Sequence, residues 1–215
     1  MRPHTRMVGR IITTEDCVAE GAAWLAASDA RMAHALALTG LPPLRRRADG
    51  FAALLDAIVS QQVSVASARA IQGRLAAAGL TEAAAMAEAD DDALRACGLS
   101  RQKARYARAL AGAGIDFDAL RGLPDDQVVA TLTAVPGIGR WTAEIYAMFS
   151  LGRADVFAPA DLALQEAMRR LYGLPARPRE REARAMAESW SPWRAVAARL
   201  LWAYYRVDEG REGIT

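Results

Sequence analysis

Helix-forming residues fill nearly the whole chain and runs of β-branched residues are scarce, which confines the fold to an all-α architecture. Alanine, leucine and arginine dominate, and these side chains lose little freedom in a helix. Phe51, Leu54, Leu55, Ile58 and Val59 recur at helical spacing from Gly50 onward, the pattern of one buried face. Start and stop signals divide the rest. Thr14 can cap a helix over about 15–27, with Trp24 and Leu25 on its apolar side. Asp29 can cap a second, which ends before Gly40-Leu41-Pro42-Pro43. Further helices are expected over 66–78, 82–88, 91–97 and 100–111, and then over 125–133, 141–149, 161–172, 179–190 and 192–207. Ile11–Thr13 reads as extended, but no second segment offers it a sheet.

The length, 215 residues, with 53% hydrophobic and 24% charged side chains, is that of a globular domain able to bury a core. A single domain over 1–215 is expected, with two lobes. A central lobe would cover 50–173 and include the hairpin at 133–143, while 11–49 and 174–215 would form the second lobe, because the amphipathic last helix needs a partner face. Twenty-seven basic residues against 25 acidic ones leave a net charge of +2. Overall charge therefore announces no nucleic-acid partner, and any such partner must be read from where the charges sit. Cys17 and Cys97 are the only cysteines, too few to ligate a zinc or a four-cysteine iron–sulfur cluster. His4 lies in the N-terminal segment and His34 on an alanine-rich helix, where a structural role outweighs a catalytic one. No apolar run would span a bilayer and no signal core follows the basic N-terminus. A soluble, cytoplasmic protein is expected, without a membrane or an obligate protein partner.

The segment Val135-Pro136-Gly137-Ile138-Gly139-Arg140-Trp141-Thr142-Ala143 falls between two expected helices. Its glycines allow a tight turn and remove side chains that would hold a phosphate away. The amides of Ile138, Gly139 and Arg140 would point outward at the start of a helix whose positive end favours an anion. Such a loop grips a phosphodiester without reading a base. Taken alone, it would be an ordinary hairpin with a glycine corner. Twenty residues after Trp141, however, comes Asp161, in Val156-Phe157-Ala158-Pro159-Ala160-Asp161-Leu162.

Together with Ile58-Val59-Ser60-Gln61-Gln62-Val63-Ser64, Trp190-Ser191-Pro192-Trp193-Arg194 and Trp202, this order of landmarks resembles the helix-hairpin-helix, Gly/Pro-Asp superfamily of DNA glycosylases. Within it, the likeness is to the branch that excises 3-methyladenine, and it runs from about residue 29 to residue 206. The resemblance implies a two-lobed helical fold with Asp161 as the catalytic carboxylate. Such a group stabilises the oxocarbenium-like sugar and takes a proton from the attacking water. Capping a helix is the ordinary job of an aspartate after Pro-Ala, and the two roles are compatible. Asp155 is the nearest rival and structural on the family pattern. Arg194, in the Pro-Trp-Arg segment, reads as an interhelical salt-bridge partner and not as a catalytic group.

The resemblance also implies that Trp141 and Trp202 line a base pocket, where an indole face attracts a cationic alkylated purine. A third pocket aromatic of some relatives is replaced by Ile145, with Tyr146 beside it. Gln61 and Gln62 match the segment that enters the duplex, where some relatives carry a leucine wedge. Pro136, Gly137, Ile138, Gly139, Arg140 and Thr142 fall on the DNA-gripping hairpin, and Lys103 lies in a basic stretch suited to phosphate contact or simple solvation. The family's hairpin holds a monovalent cation through backbone carbonyls, which here would be those of Thr133, Val135 and Ile138. Members that also nick the backbone carry a lysine where Trp141 stands, and an indole forms no Schiff base; Lys103 is the sole lysine. The resemblance thus implies a monofunctional, cofactor-free enzyme acting on double-stranded DNA that contains alkylated bases, without the extra N-terminal β-domain of some members. The alternatives are a non-catalytic DNA-binding module and a bifunctional glycosylase/lyase for oxidised bases.

Overall fold

The structure is a computed structural model and describes residues 8–209; His4 lies outside them. In chain order the α-helices are α1 (Glu15–Ser28), α2 (Ala30–Thr39), α3 (Phe51–Ser60), α4 (Val65–Ala77), α5 (Ala83–Glu88), α6 (Asp91–Ala96), α7 (Arg101–Gly112), α8 (Phe117–Gly122), α9 (Asp125–Thr133), α10 (Arg140–Phe149), α11 (Leu162–Tyr172), α12 (Glu180–Ala187) and α13 (Arg194–Glu209). Among the described residues, extended pairing is limited to one isolated bridge, Ile11 with Arg153. The all-α expectation holds. None of these helices is long and apolar enough to cross a membrane.

The caps sit where side-chain chemistry puts them. Thr14 accepts from the Cys17 N–H, Asp29 from those of Arg31 and Met32, Ser64 from Ser67 and Ser100 from Lys103. Each satisfies donors that an α-helix leaves open at its start. The helix α8 has no counterpart in the sequence reading. Asp116 caps it, but its six residues bury Leu120 alone and so display no period.

The described residues form two compact units, one from 8–46 with 147–209, the other from 47–146. In the first, α13 packs on α1, α2 and α11. Ala195, Val196, Ala197, Ala198, Leu200 and Leu201 are fully buried, and the alanines among them let neighbouring helices approach. Gly21 of α1 is part of that fit, since a Cβ there would lie 2.6 Å from the Trp193 ring. The segment 147–173, expected in the central lobe, belongs to this unit. Leu164, Ala167, Met168 and Leu171 make a buried stripe on α11, and that stripe packs on α13 and α2. Trp24 departs from expectation as well. Val18, Ala22 and Leu25 define the buried face of α1, and Trp24, one residue off that stripe, is 38% exposed.

In the second unit, α3 buries all five residues that its spacing singled out and packs on α4 and α7, while α5 packs on α7. Cys17 and Cys97 are buried free thiols.

Candidate functional site

In the unit 47–146, α9 and α10 are joined by the glycine turn. Val135 and Ile138 are buried, whereas Pro136, Gly139 and Arg140 are exposed. The two glycines do different work. Gly137 has φ +93°, and a Cβ there would lie 2.3 Å from Tyr106 Cγ, so its bareness serves packing. A Cβ on Gly139 would meet nothing within 4 Å, which leaves that face open to a ligand. The expected outward amides need one correction. The Ile138 N–H donates to the Val135 carbonyl at 3.1 Å and closes the turn, so the donors at the mouth of α10 belong to Gly139 and the residues after it. Arg140 is held by a 3.0 Å ion pair to the buried Glu144, one turn along, and keeps its guanidinium half exposed above the hairpin. Thr142 is half-buried.

The Gln61–Gln62 turn between α3 and α4 is tied to this hairpin. Gln61 Nε2 donates to the Gly137 carbonyl at 2.9 Å, a contact that sequence spacing could not reveal. Gln62 is exposed with φ +56°, an uncommon conformation for a residue with a Cβ, and Val63 and Val65 beside it are exposed. Lys103, expected on phosphate or in solvent, instead donates from Nζ to the Val59 carbonyl at 2.6 Å and so closes the C-terminal end of α3. Burial lowers its pKa. Gln61, Gln62, Gln102, Lys103 and Tyr106 line a cleft of about 310 Å³.

Of the expected pocket residues on α10, Trp141 is 45% exposed and Ile145 half-buried. Tyr146 differs from expectation. It is 5% exposed, and its hydroxyl accepts the Gly50 N–H at 2.8 Å, at the start of α3. Burial pushes that phenol up to about 12. Tyr146 belongs to the core.

The carbonyls of Thr133, Val135 and Ile138 lie at the end of α9 and in the turn, an oxygen-only set of the kind that suits a hard cation. Val135 already accepts from Ile138 and has one lone pair left to offer. Among the described residues no group of three His, Cys, Asp or Glu side chains could hold a metal, and His34 is exposed on α2.

In the other unit, Asp161 is the N-cap of α11. Its Oδ1 accepts from the Leu164 N–H at 3.0 Å and from Trp202 Nε1 at 3.2 Å. The approach to it is also fixed. The Asp161 N–H donates to the Ala158 carbonyl, and Gln165, itself buried, donates from Nε2 to the Pro159 carbonyl at 2.7 Å. Leu162, next to the carboxylate, is 60% exposed, whereas Leu164 and Gln165 of the same turn are buried. Trp202 packs on Phe149 with ring centroids 5.7 Å apart. Asp155 is committed elsewhere. It takes Arg194 through both oxygens, at 2.7 and 2.9 Å, and the Ser191 hydroxyl at 2.8 Å. That bidentate pairing makes Asp155 and Arg194 a structural clamp.

Residues 55–193 match the family model described as HhH-GPD superfamily base excision DNA repair protein. DNA-3-methyladenine glycosylase 1 of Schizosaccharomyces pombe is 31% identical over 158 residues, covering 69% of this chain and 69% of that protein. Among solved structures, the DNA-3-methyladenine glycosidase of Bacillus halodurans superposes with a TM-score of 0.77 at 31% identity, covering 93% of each chain. The 3-methyladenine DNA glycosylase of S. pombe in complex with abasic DNA gives 0.71 at 28% identity, over 87% of this chain and 95% of that one. The chain spans 56% and 69% of the length of two of the curated relatives it matches.

Proposed function

The chain belongs to the HhH-GPD superfamily of base excision DNA repair proteins, and from that premise we propose that it is a monofunctional DNA glycosylase for alkylated purines, 3-methyladenine foremost. The observation that carries the reading is an aspartate at the family's position, held at the mouth of α11 by the Leu164 N–H and the Trp202 indole N–H, with Leu162 exposed beside it. Water adds its oxygen to C1′ of the flipped nucleotide as the N-glycosidic bond breaks. The base leaves with the bonding pair, and a cationic 3-methyladenine departs neutral. Asp161 offsets the positive charge on the sugar and takes the proton from water, so the products are free base and an abasic site.

The hairpin has a separate task. Gly139 and the amides that open α10, with Arg140 above them, contact backbone phosphate and are blind to sequence. A monovalent cation on the Thr133, Val135 and Ile138 carbonyls would add positive charge at the same place. Gln62 and its exposed valine neighbours enter the duplex at the gap. Trp141, 45% exposed on α10, stacks on the flipped base.

The test is release of free base from duplexes carrying single alkylated lesions. No release by well-folded protein would overturn this reading. Against a lyase stands the placement of the sole lysine, whose ammonium is engaged with the end of α3. Borohydride should accordingly trap no covalent protein–DNA adduct.

Trp141→Ala should reduce excision of charged lesions more than affinity for abasic DNA, because only the former presents a cation to the ring. The expected loss is on the order of 2 kcal/mol, the magnitude of a desolvated cation–π contact. Equal losses on charged and neutral lesions would make Trp141 a packing residue.

A further inference from the structure

Trp202 makes two kinds of contact, and its ring explains only one of them. An aromatic wall for a base needs a face. It does not need an indole nitrogen aimed at a carboxylate. Here Nε1 donates to Asp161 Oδ1 at 3.2 Å, while the same oxygen accepts the capping N–H of Leu164 at 3.0 Å. Two donors from different helices on one oxygen fix both torsions of a short side chain, which a single cap bond leaves free to swing about its one anchor.

The indole itself is firmly seated. It packs on Phe149 at 5.7 Å, and the Arg199 guanidinium lies 4.6 Å from the centroid of that phenyl ring. Arg199 is 2% exposed and donates to the carbonyls of Leu44, Ala195 and Met148. Burial, followed by repulsion from Arg46 and Arg45, brings its pKa down to about 10. A cation held by three carbonyls in the core cannot move without losing all three bonds. It therefore backs Phe149, and Phe149 backs Trp202. A phenylalanine or tyrosine at 202 could stack on Phe149 as well, but neither places an N–H against Oδ1.

We propose that Trp202 is a positioning residue for the reaction, one that sets the orientation of the Asp161 carboxylate through its indole N–H. The proposal rests on the glycosylase reading above and deepens it. A hydrogen bond to a charged group is worth about 1.5–3 kcal/mol, so losing it should slow base release roughly ten- to a hundredfold. The slowing should not depend on the charge of the leaving base, because the fault lies at the sugar.

The experiment compares wild type, Trp202→Phe and a protein with 3-benzothienylalanine at 202, an isostere with sulfur in place of the N–H. Single-turnover release is measured from duplexes carrying cationic 7-methylguanine or neutral hypoxanthine, alongside affinity for abasic DNA and melting temperature. Both variants are expected to stay folded, melting lower than wild type because the bond is also lost from the folded state, to bind abasic DNA like wild type, and to lose rate equally on the two lesions. On 7-methylguanine, adding Trp202→Phe to Asp161→Asn should cost little beyond Asp161→Asn alone, since the two changes act through one carboxylate. A loss confined to the cationic lesion, a wild-type rate from the benzothienyl protein, or full additivity with Asp161→Asn would each overturn the proposal. Absence of release by the wild-type protein would instead overturn the glycosylase reading, so the two failures are separable.

Discussion

Asp161→Asn should release base roughly a hundred- to a thousandfold more slowly than wild type, the usual cost of removing a preorganised electrostatic group, while folding nearly as well. The two halves of that expectation have different origins. The cap on α11 is an oxygen accepting the Leu164 N–H, and an asparagine side-chain oxygen can accept it too, so stability changes little. The charge beside the developing oxocarbenium ion and the base that takes the proton both disappear. Binding to lesion DNA should persist, and 7-methylguanine, a cationic leaving group, should retain most residual activity. The checks are single-turnover rates, affinity for lesion DNA and a thermal melt on the same preparation. Wild-type rates from the folded variant would remove Asp161 from catalysis. Asp155 would then be tested in the same way, although its salt bridge to Arg194 predicts a loss of stability there.

The second large effect is expected at Gly137, and it concerns the fold of the hairpin. Gly137→Val sets a β-branched residue at φ +93°, which costs about 1–2 kcal/mol. It also drives a side chain into Tyr106, whose nearest atoms include its own Cβ, so rotating the ring does not relieve the overlap. Overpacking of this kind adds about 1–3 kcal/mol. The melting temperature should fall markedly and DNA affinity with it. Tyr106→Ala in the same protein should restore part of the loss, because space returns while the backbone strain stays. Gly139→Ala provides the contrast. Nothing lies near that Cβ, so the melt should be unchanged while affinity falls alike for every duplex, damaged or not. A stable Gly137→Val protein with intact DNA affinity would show that the turn does not need the packing described.

The helices were legible because their signals are local. Side-chain oxygens at Thr14, Asp29, Ser100 and Asp161 precede helical runs, and each caps the helix it announces. Periodicity picked out the buried face of α3 residue by residue. Where a segment is too short to show a period, as in α8, the sequence is silent. One face can also mislead, as Trp24 shows by standing outside the stripe that its neighbours define. Grouping of helices was harder still. The segment 147–173 reads as a continuation of the hairpin lobe, and only the burial of its apolar stripe against α13 and α2 assigns it to the terminal unit.

The same division holds at the candidate site. The order and spacing of Gln61-Gln62, the glycine turn, Trp141 and Asp161 are written in the chain, because residue type and local turn chemistry do not depend on what lies far away in sequence. Which groups share a bond was decided by the tertiary structure. Tyr146 turned inward to the Gly50 N–H, Lys103 closed α3 at Val59, Gln61 reached the Gly137 carbonyl and Trp202 reached Asp161. Their partners stand between 41 and 96 positions apart, and a buried donor takes whichever acceptor the packing of the core delivers to it, which no local pattern encodes.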